Sequence, residues 1–271
     1  MNTMNRHLMI ILLDGLRAAT ARRCFSYVRS LERAGAAGYV ELTAELPPFS
    51  RPIYATLLSG HAPVLTGIVH NDDARLCPTP TIFHLAQKNG LVTAAAAYCW
   101  ISELCNAAPF VAGQHRLTND VTLPIAHGLF YSSDAYPDDE LFHDAEWLRL
   151  QYQPHILLVH SMGIDHAGHM HGADSPAYRD AARNADALLA RFLPHWLDAG
   201  YAALITSDHG MDNDRRHCDV TEQARRVPLW LVGQDWEERA LPKTQTQIAG
   251  MVQQMFGIDS LLSGGEVRCT V

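Results

Sequence analysis

Lysine is almost missing from this chain of 271 residues: only Lys88 and Lys243 occur, and arginine supplies the rest of the positive charge. The net charge of -8 and the lack of any long basic run argue against a nucleic-acid groove, so no nucleic acid polymer is expected as a partner. Long apolar runs are missing too. No segment approaches the roughly 20 residues that span a bilayer, and no membrane partner is expected. The apolar stretch behind Arg6 and His7 is short and stops at Asp14, so it reads as a first strand and not as a signal sequence. The six cysteines lack paired, metal-type spacing, which points to free thiols in a cytoplasmic protein. Internal repeats and low-complexity tracts are absent, and nothing specifies an oligomer.

What the chain does have is enough apolar content, 48%, to bury a full core as one α/β domain over residues 1–271. Apolar runs at Leu8 to Leu13, Leu91 to Ala97, Ile156 to Val159, Ala202 to Ile205 and Val227 to Val232 read as strands, with a further one over Gly38 to Glu45. They alternate with helical patterns at Ser50 to Ser59, Thr79 to Lys88, Asp139 to Gln151, Pro176 to Leu197 and Thr244 to Met255. This rhythm predicts a largely parallel central sheet with helices on both faces. Residues 98–137, rich in Pro, Gly, Asn and aromatics, break the rhythm and read as a small lid or insert.

Three segments bear the chemistry. Asp14-Gly15, Asp165-His166-Ala167-Gly168-His169 and Asp208-His209-Gly210 each follow or closely trail a strand-like run, and ligands bind at the carboxyl ends of strands in such sheets. Carboxylates mixed with imidazoles suit divalent ions. Taken alone, Ser50 in Phe49-Ser50-Arg51-Pro52 reads as a helix cap. A helix N-terminus also favours a bound phosphate, and a serine there becomes a nucleophile if a metal lowers its pKa.

Ser50, Pro52 and Ser59-Gly60 resemble the nucleophile segment of the alkaline phosphatase superfamily. With Asp14 upstream and Asp165, His169, Asp208-His209-Gly210 and His217 downstream, each ligand segment of that superfamily has a counterpart in the family's order. The closer likeness is to its nucleotide pyrophosphatase/phosphodiesterase branch, through Asp-x-x-Gly-His at Asp165 to His169, Gly67-Ile68-Val69-His70-Asn71, and Ser207-Asp208-His209-Gly210-Met211.

The resemblance implies an alkaline phosphatase-like fold and two divalent ions, zinc first and manganese as the alternative. One ion would be held by Asp165, His169 and His217, the other by Asp14, Asp208, His209 and the oxygen of Ser50. Ser50 would attack phosphorus to give a phosphoryl-serine, and Asn71 would donate its amide to a nonbridging oxygen. His217 is followed by Cys218 where the family usually has Gly. The implied substrate is a small phosphorylated molecule, a phosphate diester or a nucleotide pyrophosphate, with Arg51, Tyr54 and Trp100 as substrate-binding candidates. Arg51 beside the nucleophile keeps a phosphomonoesterase open, and a phosphonate hydrolase of the same superfamily is a further alternative. A sulfatase is set aside, because Tyr54 stands where that family has Arg and Ser50 where it usually has Cys. Outside the enzymes, the rival is a metal-binding protein that lost turnover; the intact Ser50 argues against it.

Overall fold

The structure is a computed structural model and describes residues 6–217, 220–233 and 240–258. Its strands are β1 (His7–Leu13), β2 (Ala37–Thr43), β3 (Thr93–Tyr98), β4 (Leu117–Asn119), β5 (His127–Tyr131), β6 (Ile156–Ser161), β7 (Tyr201–Thr206) and β8 (Arg226–Val232). Between and after them come α1 (Ala18–Cys24), α2 (Tyr27–Arg33), α3 (Ser50–Ser59), α4 (Pro63–Thr66), α5 (Ile82–Lys88), α6 (Cys99–Cys105), α7 (Ala112–His115), α8 (Asp138–Tyr152), α9 (Gly163–His171), α10 (Pro176–Asp198), α11 (Glu222–Arg225) and α12 (Thr246–Phe256). All eight strands join one sheet in the order β2-β8-β7-β1-β6-β3-β5-β4.

Strand β1 sits at the centre, parallel to β6 on one side and β7 on the other. Side chains alternate across a strand, and β1 obeys this strictly. Met9, Ile11 and Leu13 enter one core with α1, α2, α8 and α10, whereas Leu8, Ile10 and Leu12 enter the other with α3, α5, α6 and α12. Both faces are therefore covered by helices, which is why β1 reads as an unbroken apolar run.

The sheet is mixed, which corrects the largely parallel arrangement predicted from the alternation of elements. Strand β8 runs antiparallel to β7 and to β2, and β4 runs antiparallel to β5. The physical reason lies in the connection. Between Thr206 and Arg226 the four-residue helix α11 is the one element among the described residues, too short to cross the sheet, and β8 re-enters from the edge where β7 ended. Residues 98–137, predicted as a lid or insert, contain α6, α7, β4 and β5, and the two strands form one margin of the sheet.

The long helix α10 begins where local chemistry dictates. Ser175 caps it by accepting from the Tyr178 N–H, and Pro176 takes the first turn. No helix among the described residues is long and apolar enough to cross a membrane.

Candidate metal centre

Asp14 follows β1, Asp165 lies on α9 just after β6, and Asp208 and His209 follow β7, so three parallel neighbours deliver their ligands to one sheet edge. Gly15 makes this convergence possible: its φ is +70°, and an added Cβ would stand 2.8 Å from the Asp165 Cα. Helix α3 brings Ser50 to the same edge. Its N-cap is Phe49 and no side chain caps it, so Ser50 is not the capping residue that the local sequence alone suggests. The buried Ser50 hydroxyl instead donates to His209 Nε2 at 3.0 Å.

Two ligand groups result. Asp14, Asp208 and His209 present one donor atom each within 4.8 Å of one another, and so do Asp165, His209 and His217. His209 thus borders both, where the sequence assigned it to the Asp14 ion alone. Its Nε2 is 3.1 Å from Asp208 Oδ2 and 3.5 Å from Asp14 Oδ1. His217 stacks on it with ring centroids 3.6 Å apart. His169 lies at the rim, 44% exposed in its side chain, with Nε2 3.4 Å from Asp165 Oδ2 and its ring 5.1 Å from that of His217. Cys218 lies outside the described residues.

The imidazoles are held as ligands need to be held. His209 Nδ1 meets the Gly210 carbonyl, His217 Nδ1 the Pro48 carbonyl and His169 Nδ1 the Arg215 carbonyl, each at 2.9 Å. A carbonyl only accepts, so each Nδ1 bears the proton and each Nε2 presents a lone pair. The carboxylates show the complementary pattern. Asp14 Oδ1, Asp165 Oδ1 and Asp208 Oδ2 are buried with no hydrogen-bond partner among the described residues. Such atoms fit cations, one beside Asp14 and Asp208 and one beside Asp165.

Electrostatics point the same way. Burial pushes the Asp14 carboxyl up to about 7, and it drives Asp165 and Asp208 well above the usual range, with repulsion from Asp14 and Asp208 adding to the effect at Asp165 and repulsion from Asp14 adding to it at Asp208. Burial also depresses His217 to about 4 and His209 further below its ordinary value. Neutral imidazoles beside crowded carboxyls form a set that a divalent ion would stabilise in its deprotonated form.

The remaining predicted residues fall into place around this centre. Asn71 Oδ1 accepts from the Arg51 backbone N–H at 3.0 Å, which leaves the amide nitrogen as its donor side. Arg51 is buried, 2.6 Å from Glu103 Oε2, hydrogen-bonded through Nε to the Asn71 carbonyl, and set 4.5 Å from the Trp100 ring centroid. Trp100 is half-buried. Tyr54, expected to bind substrate, is fully buried behind the centre, and its hydroxyl donates to Asp14 Oδ2.

Sequence reasoning missed several contributors. Glu103 balances Arg51, and Ser207 donates to the His209 carbonyl at 2.7 Å while accepting from the Leu16 N–H. Buried His160 stands 3.3 Å from Asp14 Oδ2. Its signal was present: extending the Ile156 to Val159 run by one residue places a histidine inside a strand that opens directly onto the Asp165 segment.

A central sheet covered on both faces, with carboxylate and imidazole ligands at the strand ends and a serine on a helix N-terminus, defines a fold of the alkaline phosphatase superfamily. Within it, residues 8–241 match the family described as type I phosphodiesterase / nucleotide pyrophosphatase, and the chain belongs to that family. Murine ectonucleotide pyrophosphatase/phosphodiesterase 5, solved as an inactive form with AMP, shares the fold at a TM-score of 0.67 and 13% identity, covering 97% of this chain and 98% of that one. A phosphonate monoester hydrolase from Silicibacter pomeroyi gives 0.65 and 12%, over 97% and 76%. Among curated proteins, GPI ethanolamine phosphate transferase 3 of Schizosaccharomyces pombe is 36% identical over 76 residues, which is 28% of this chain. The catalytic subunit of human GPI ethanolamine phosphate transferase 2 is 20% identical over 85% of this chain. The matches span 8% and 24% of the length of these two relatives.

Proposed function

We propose that this chain hydrolyses phosphate diesters, nucleotide pyrophosphates among them, in a divalent-metal-dependent reaction through a phosphoryl-serine at Ser50. The observation that supports it most directly is the Ser50 hydroxyl, buried at the start of α3, not used as a cap, and 3.0 Å from a histidine shared by both ligand groups. Asp14, Asp208, His209 and Ser50 Oγ would hold one ion, and Asp165, His169 and His217 the other. When bound, these ions supply Lewis-acid charge to the reacting oxygens; zinc suits the mixed oxygen and nitrogen donors, with manganese as the alternative.

The chain's own groups divide the remaining tasks. Ser50 Oγ forms a bond to phosphorus as the bond to the leaving alcohol breaks; the serine proton departs and the alcohol leaves protonated. Water then attacks the phosphoryl-serine, breaking the Oγ–P bond and restoring the hydroxyl. Asn71, fixed through Oδ1, directs its Nδ2 hydrogens toward a nonbridging oxygen, and the α3 N-terminus adds its dipole. Arg51 bears on the choice of substrate. The guanidinium is already paired with Glu103, so the extra positive charge that a dianionic monoester requires is neutralised, which favours the singly charged diester. Trp100 on α6 borders this pair, so the 98–137 segment is proposed to flank the leaving group.

The curated relatives, named as phosphate transferases, support a second reading of the last step, transfer to an acceptor other than water. The two readings part at the acceptor, which phosphorus NMR of the products distinguishes. A cytoplasmic location is also proposed, on four buried, free thiols at Cys24, Cys77, Cys99 and Cys105; cell fractionation tests it.

The central test is turnover of bis-p-nitrophenyl phosphate and p-nitrophenyl phosphate by zinc-loaded and manganese-loaded protein, beside Ser50→Ala. Diester preference is expected, with turnover in Ser50→Ala reduced by about a thousandfold or more while ions stay bound. Unchanged turnover in that variant sinks the covalent mechanism, and full activity of metal-free protein sinks the metal-centre reading.

A further inference from the structure

We infer that Tyr54 and His160 act as positioning residues, clamping one oxygen of Asp14 so that the other faces the ion held with Asp208 and His209. The inference rests on the metal-centre reading above and concerns residues outside the ligand set.

Asp14 Oδ2 receives the Tyr54 hydroxyl and lies 3.3 Å from His160 Nε2, while Oδ1 has no hydrogen-bond partner among the described residues. A carboxylate oxygen only accepts, so His160 presents its Nε2 proton. Two donors on the same oxygen fix the rotation of the carboxylate about its own axis. Both donors are themselves fixed: the side chains of Tyr54 and His160 are fully buried, their rings meet edge to face with centroids 4.6 Å apart, and Tyr131 donates to the His160 carbonyl at 2.7 Å. Polar groups buried this deeply are destabilising unless they serve a hydrogen bond, and Phe would fill the Tyr54 space without the hydroxyl.

The two clamp residues reach Asp14 from different elements. His160 belongs to β6, the strand beside β1. Tyr54 belongs to α3 and stands four residues after Ser50, on the same helix face one turn away. A shift of α3 that displaces the nucleophile therefore also displaces the donor that orients Asp14. Tyr54 thereby links the position of Ser50 to the geometry of the ion nearest to it.

The test measures zinc binding by competition with a chromogenic chelator for wild type, Tyr54→Phe, His160→Gln, Asp14→Ala and the Tyr54→Phe/Asp14→Ala double variant, with circular dichroism as the folding control. Tyr54→Phe removes one oxygen and keeps the ring, so it preserves the test if His160→Gln does not fold. We expect Tyr54→Phe to weaken one of two bound zinc ions by about 10–100-fold and leave the other unchanged. In the Asp14→Ala background the same substitution should have no further effect, because the clamp acts through that carboxylate. Equal weakening of both ions, full affinity in Tyr54→Phe, or an undiminished effect without Asp14 overturns the inference while leaving the metal centre standing. A wild-type protein that binds no zinc overturns the metal centre itself, and the clamp with it.

Discussion

Individual side chains explain why a candidate ligand set could be proposed before any fold was known. Asp14, Asp165, Asp208, His209 and Ser50 are chemically distinctive residues within short motifs, and the structure brings all five to one buried edge. Tyr54 was read as a substrate contact, His160 was visible only as a histidine at the end of a strand, and Glu103 was not readable at all, because an aromatic, a strand histidine and a lone acid acquire their roles only from what they touch. The crowding of these groups has a pH consequence. Folded Asp14 keeps its proton up to about 7 against an ordinary value of 3.8. Folded His217 holds its own only below about 4, against an ordinary 6.5. Between about pH 4 and 6.5 the raised carboxyls and depressed imidazoles act in opposite senses on stability. Above about 6.5 the imidazoles are neutral in folded and unfolded chains alike. The folded state then binds more protons, on its carboxyls, and stability falls as pH rises. Chelator-treated protein should accordingly lose melting temperature between pH 6.5 and about 8.5, and saturating zinc should remove the slope. A flat profile in chelator would refute the electrostatic account.

Helices and strands were legible unevenly, and the reason differs in each case. Helix α3 matches its sequence limits at both ends because Pro52 lies in its first turn and Gly60, at φ +79°, closes it. Strand β8 was visible but its direction was not. It is buried along nearly its whole length, so its apolar run has no alternation to reveal how it pairs. Strands β4 and β5 are short and lie in a segment whose turn residues dominate its composition. Where two elements approach closely, glycine is required: a Cβ on Gly168 of α9 would stand 2.7 Å from Met211 Cε, beside the Asp208-His209 segment. Gly168→Ala should cost about 1–3 kcal/mol through overpacking and weaken zinc binding. Gly250 of α12 has nothing within 4 Å of its added Cβ, so Gly250→Ala should stabilise by about 0.5–1 kcal/mol. Thermal melts of the pair check the contrast, and similar effects at both positions would contradict the packing argument.

Taken whole, the molecule assembles its centre from distant parts of the chain. Ser50 and His209 are 159 residues apart, and Gly15 donates to Asp208 across 193. Zinc should therefore slow amide exchange in residues 14–17, 161–172 and 207–217 together, since a ligand that binds only the folded state protects every segment holding it. Hydrogen exchange with mass spectrometry reads this directly. Protection confined to one segment would argue for a local ion site.

The central position of β1 has a further consequence. Its partners arrive only with Ile156–Ser161 and Tyr201–Thr206, so during synthesis β1 waits for two later strands before its edges are closed. During synthesis Asp14 has neither Asp208 nor His209 beside it. An ion held by these groups would therefore not be available as a seed for folding, and its loading would belong to a stage after the sheet has closed.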